Sequence, residues 1–177
     1  MEAEFRVREA EADSCSATPA VAAAFISGSF FNGGGGTPPN NRTNDVRAGV
    51  TIRRASDSAD PPGVLRGTAF LTKCGDAQCT VNPTLAFAAL GTVSLKERVR
   101  VRVEWDDANN QFVFQFGDNP PESLGYGPPD VVLPAQDAGV NEKSLQVRNT
   151  VSGCTGEQRS AAFMDLHVDD VRVNAVP

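Results

Sequence analysis

The stretch RVRVRVEWDDANNQFVFQF, residues 98–116, constrains the fold more than any other part of the chain. With a turn at Ala108–Asn109, Asp107 faces Asn110 and the register follows by counting. Trp105 then faces Phe112, Val103 faces Phe114 and Val101 faces Phe116, all on one side. Asp106 with Gln111, Glu104 with Val113 and Arg102 with Gln115 take the other side. Both strands agree on which side is apolar, and a slip of one residue would destroy that agreement. Cross-strand pairs of aromatic and β-branched residues contribute about 0.2–1 kcal/mol each. The pattern predicts an antiparallel hairpin with one buried and one wet face, Trp105 pointing inward and the arginines outward.

The same two-residue period runs through the rest of the chain. In DVRAGVTIRR, Val46, Ala48, Val50 and Ile52 share a face, and Arg47, Gly49, Thr51 and Arg53 share the other. In VLRGTAFLTKC, Leu65, Gly67, Ala69 and Leu71 line up likewise. Further strands are expected at FRVREA, AVAAAFISGSFF, CTVNPTLAFAAL, LGTVSL, SLQVRN and AFMDLHVDDVRV. Only PAVAAAF has the alanine content of a helix, and Ser27, Gly28 and the Phe30–Phe31 pair would end one early. Many short strands with Gly, Pro, Asn and Asp breaks predict a single all-β domain over residues 1–177, an antiparallel two-sheet sandwich.

A chain of 177 residues can bury a substantial core, and 40% apolar content excludes disorder over most of it. The net charge of −6 argues against a general affinity for nucleic acid or anionic membrane. No apolar run approaches the roughly 18 residues of a membrane span. The opening MEAEFRVREAEAD has neither the basic nor the apolar region of a signal peptide, so a leader or preceding domains are expected to have been removed.

Four cysteines stand at 15, 74, 79 and 154. An even count in a loop-rich chain favours disulfides and an oxidising compartment, hence a secreted, periplasmic or cell-surface location. Cys74 pairs best with Cys79 across GDAQ, which leaves Cys15 with Cys154. Free thiols and a four-thiolate zinc site are the alternatives, although the isolated Cys15 and Cys154 lack the close spacing that structural zinc usually takes.

The hairpin, read with the ending AFMDLHVDDVRVN, resembles concanavalin A-like lectin/glucanase domains, particularly the laminin-G-like sandwiches of secreted bacterial proteins. The matching residues are Trp105-Asp106, Phe112 and Phe114, then Asp169-Asp170-Val171 and Val173, with LGTV at residues 90–93 upstream. The resemblance implies a jelly roll in which the first and last strands are neighbours. It also implies a module that is readily strung within a larger extracellular protein. The glucanase branch carries Glu-x-Asp-x-x-Glu on one strand, and this chain lacks that motif. Glu9, Glu11 and Asp13 come nearest, in the wrong order and on the first strand, and edge charges explain them as well.

Other candidates for chemistry are sparse. Asp169 and Asp170 sit where the apolar phase flips between Met164, Leu166, Val168 and Val171, Val173. A β-bulge there restores alternation, and a bound calcium ion is the rival use of the acidic pair. His167 is expected on the wet face, without a nucleophile in reach. Glu104 and Asp106 share a face with arginines, which favours ion pairing over a raised pKa. NGGGGTPPNNRTND, residues 32–45, lacks phosphate-loop spacing and a following helix, and is expected to be a mobile surface loop. Exposed rings beside loops are the best candidates for ligand contact: Tyr126 in ESLGYGPPD, and Phe30 and Phe31, of which one must face outward if the strand is regular. The expected function is non-enzymatic recognition of a glycan or protein partner. A structural spacer within an envelope protein and a divergent glycoside hydrolase are the alternatives.

Overall fold

The computed structural model describes residues 1–35, 39–155 and 158–173. The chain folds into two antiparallel five-stranded sheets packed as a β-sandwich. Its strands are β1 (Glu2–Asp13), β2 (Val21–Asn32), β3 (Asp45–Ala55), β4 (Val64–Lys73), β5 (Thr84–Ser94), β6 (Arg98–Asp106), β7 (Gln111–Phe116), β8 (Glu122–Gly125), β9 (Lys143–Thr150) and β10 (Ala161–Arg172). The first sheet has the order β10-β1-β6-β7-β8 and the second β5-β4-β3-β2-β9. The first and last described strands are therefore neighbours, as the sequence resemblance implied.

The hairpin has the register counted from the sequence. Trp105 faces Phe112, Val103 faces Phe114 and Val101 faces Phe116. Asp107–Asn109 makes a single 3₁₀ turn, and Asn110 closes it in the left-handed region that asparagine tolerates better than most residues. Val101, Val103, Phe112, Phe114 and Phe116 are buried, and Trp105 is partly so. From the second sheet, Ala22, Ala24 and Ile26 of β2, Val46 to Ile52 in alternation on β3, and Leu65, Ala69 and Leu71 of β4 complete the core. At Gly67 the Phe116 ring of the first sheet packs directly on the β4 backbone: a Cβ there would fall on that ring.

From Val21 on, PAVAAAF is strand rather than helix, and its small residues pair with β3 and β9. The segment CTVNP, residues 79–83, lies outside β5, which begins after Pro83 and runs on through LGTVS as one strand. Leu85 and Leu90 are extra residues in its pairing with β4. The strand β8 was not expected from the sequence. Four residues long, it buries only Leu124.

Both disulfides form, Cys74 with Cys79 and Cys15 with Cys154, at Cα separations of 4.6 and 5.9 Å. Cys15 lies in the β1–β2 connection and Cys154 in the β9–β10 connection. Both connections pass from one sheet to the other, so this bridge ties two crossings together. No described helix is long and apolar enough to cross a membrane.

Candidate functional site: the outer face of the second sheet

Strand alternation puts a second set of side chains on the outside of the β5-β4-β3-β2-β9 sheet. Pairing aligns Arg148, Ala23, Arg53 and Arg66 in one row across β9, β2, β3 and β4. The next row holds Gln146, Phe25, Thr51 and Thr68, and the one after it Ser144, Ser27, Gly49, Phe70 and Phe87. Arg47 and Thr72 stand beyond. Ala23, Ser27 and Gly49 are small and buried, and they form a floor between larger neighbours. The Phe70 ring leans across β3, so that a Cβ on Gly49 would come within 2.5 Å of it. The result is a groove of about 340 Å³ running from Val21 and Thr150 to Arg47, Thr72 and Asn82.

The charge in this groove has one sign. Arg47, Arg53 and Arg148 line it, and no Asp, Glu or Lys does. None of the three arginines makes an ion pair among the described residues. Burial lowers the Arg47 pKa from its ordinary value, partly offset by Glu142, and Arg47 Nη2 donates to Ser27 Oγ at 3.3 Å. Glu142 itself is held by Arg42. Arg66, in the row with Arg53, is taken up by Asp60 at 2.6 Å. Apolar surface is supplied by Phe25 and Phe70, and Phe87, the cross-strand partner of Phe70, is 74% exposed.

Each end of the groove is anchored. At one end the Cys74–Cys79 turn carries Asn82, and the Asp76 carboxylate accepts backbone N–H bonds from Gln78, Thr80 and Val81. Buried Asp45 accepts from Asn32 Nδ2 at 3.0 Å, Gly139 N at 2.8 Å and Val140 N at 3.1 Å. The two ends of the glycine-rich stretch, Asn32 and Asp45, are thus buried and bound rather than loose at the surface, while residues 36–38 of it lie outside the described residues. At the other end Thr150 leads into the segment tied by Cys154.

The residues picked from the sequence lie elsewhere. Phe31 is fully buried, stacked on Trp105 at 5.2 Å, and offers no surface to a ligand. Phe30 does not face outward either. It is the extra residue of a bulge, two residues of β2 opposing one of β3 between Ser29 and Phe31, so both rings turn toward the core. Phe30 packs edge-on against Phe112, and the Lys143 Nζ sits 4.3 Å from its ring centre. Tyr126 is partly buried: its hydroxyl accepts from Trp105 Nε1 at 2.8 Å and donates to Asp107 at 3.4 Å. Burial raises its pKa. It borders a recess of about 390 Å³ beside Gly125, Gly127 and Pro128, but its polar atom already serves the hairpin.

Asp170 lies at the expected bulge, with φ of 50° and one extra β10 residue opposite β1. The bulge does not turn Val171 and Val173 inward: they are 51% and 45% exposed, at the end of the pairing with β1. Asp169 and Asp170 are 4.0 and 3.9 Å from Arg98 and Arg100. No group of three His, Cys, Asp or Glu among the described residues is placed to hold a metal. His167, Glu9, Glu11 and Asp13 are exposed. Glu104 pairs with Arg102, and hydrogen bonds from Asn109 and Gln111 hold the Asp106 pKa below its ordinary value, as ion-pairing and turn roles require.

Sequence reasoning missed the groove because its residues come from β2, β3, β4 and β9, each contributing two or three, with Asn82 from the β4–β5 connection. The signal was present in DVRAGVTIRR, whose second face carries Arg47 and Arg53 around small Gly49. No family model matches the chain, and neither a curated protein nor a solved structure matches it.

Proposed function

We propose that the protein is a non-catalytic recognition module that holds an extended glycan chain across the outer face of its second sheet. The observation that carries this reading is the groove itself: phenylalanine rings, hydroxyl and amide side chains and arginines gathered on one sheet face. Phenylalanine rings suit the C–H faces of sugars, and Thr51, Thr72, Thr150 and Asn82 can exchange hydrogen bonds with sugar hydroxyls. The groove lining includes no carboxylate, histidine or thiol to act as acid, base or nucleophile, which favours binding over turnover.

In this reading the sandwich is a concanavalin A-like jelly roll, a class that the adjacency of β1 and β10 supports. The two disulfides favour work outside the cell, in the secreted, periplasmic or cell-surface setting. The test is binding to an array of glycans by the native protein and by Phe25→Ala with Phe70→Ala. The native protein is expected to retain a subset of glycans that the double variant loses while keeping its fold. Retention of no glycan would leave the spacer role, and glycan cleavage would replace binding by hydrolysis.

A further inference from the structure

Resting on that reading, we propose that the glycan is acidic, with carboxylate-bearing sugars interspersed among neutral ones. Arg53 and Arg148 both pair with Ala23, from opposite sides, so they stand two strand spacings apart, about 10 Å. Arg47 lies six residues along β3 from Arg53, about 20 Å for an extended strand. No carboxylate lines the groove to neutralise these charges, in a chain whose net charge is −6. Sites about 10 Å apart are only partly screened from each other at physiological ionic strength, so the cluster repels itself until an anion enters. Guanidinium groups accept carboxylates in two-point hydrogen bonds, stronger than neutral ones.

The spacing selects against a denser polyanion. Duplex nucleic acid carries a charge about every 1.7 Å of its axis, so about 20 Å of groove would bring roughly twelve charges to three arginines. The excess would face a protein of net negative charge. Along the groove the arginines stand at only two levels, Arg53 with Arg148 at one and Arg47 about 20 Å further on, so a sparsely charged chain suits them and leaves neutral ring faces for Phe25 and Phe70.

The experiment is calorimetric titration of the native protein with three probes: a hyaluronan oligosaccharide, which alternates glucuronate with N-acetylglucosamine, a neutral chitin oligosaccharide and single-stranded oligothymidylate. Hyaluronan is expected to bind best, and to weaken as salt is raised. Arg53→Gln and Arg148→Gln should each cost about tenfold in affinity, the loss expected for a charged hydrogen bond. Arg98→Gln, on the opposite face, should cost nothing. Equal binding of the neutral probe, unaffected by the arginine substitutions, would overturn the acidic ligand and leave glycan recognition standing. Binding of oligothymidylate in preference to both sugars would overturn both and assign the groove to nucleic acid. Failure of all three probes would sink the two together.

Discussion

On the outer face of the first sheet, Arg98 lies against Glu4 and Asp169, Arg100 against Glu2 and Asp170, and Arg102 against Glu104. On the outer face of the second sheet, Arg53 and Arg148 stand about 10 Å apart with no carboxylate between them. The residue type is the same, and both faces come from alternating antiparallel strands. The neighbouring strand makes the difference. Next to β6 runs β1, which puts Glu2 and Glu4 on the shared face. Flanking β3 are β2 and β4, which put Ala23, Phe25, Thr68 and Phe70 there. An arginine stripe therefore means little until its neighbour is known: the first face satisfies itself, and the second awaits a partner.

The comparison can be broken from its foundation. Cys15→Ser with Cys154→Ser releases a bridge spanning 139 residues, and chain entropy sets its contribution at up to about 5 kcal/mol. Because the bridge joins two inter-sheet crossings, hydrogen exchange should rise on both faces alike. Cys74→Ser with Cys79→Ser opens a loop of only 5 residues, worth about 2 kcal/mol, and exchange should rise only at the Arg47 end of the groove. Equal effects from the two would show that the faces are not separately supported.

Asp45→Ala strips the acceptor from Asn32, Gly139 and Val140 at that same end. With the backbone donors left buried, the expected cost is about 3 kcal/mol by urea unfolding. A loss below about 1 kcal/mol would mean that water replaces the carboxylate freely.

A smaller effect separates the faces directly. Arg98→Gln with Arg100→Gln should lower stability slightly in dilute salt and less at high salt, as exposed ion pairs do. Arg53→Gln with Arg148→Gln should leave stability unchanged or slightly raised, because it removes repulsion without breaking a pair. Equal costs on the two faces would refute the distinction.

The smallest effect is that of pH. Asp60, beside Arg66 and Ser58, and Asp76, bonded by Thr80 and its loop, both have pKa values below the ordinary aspartate value. Native values depressed in this way add stability that is fully present above about pH 4 and fades as pH falls through the native values. Melting temperature should be flat from neutral pH to about pH 5 and decline below pH 4. Flat melting down to pH 2 would show that these turns contribute nothing.

The hairpin was legible because its register depends on two adjacent segments, and so were the core faces of β3 and β4 and both disulfides. The bulge at Asp170 was expected from a break in parity, but the alternation it was to restore is absent, since Val171 and Val173 stay exposed. Features set by non-adjacent strands were not legible. One of Phe30 and Phe31 was expected outward because regular alternation allows no adjacent inward pair, and the bulge against β3 removed that rule. Tyr126 looked free until β8 brought its hydroxyl to Trp105. Net charge, an average over the molecule, concealed a cationic groove on a protein of net charge −6.

The most direct measurement is amide NMR of the native protein titrated with an acidic oligosaccharide. Shifts should concentrate at Ala23, Phe25, Arg53, Phe70 and Arg148, leaving Arg98, Arg100 and Arg102 unmoved. Shifts centred on Arg98 to Arg102, or beside Tyr126 with the groove silent, would contradict the account.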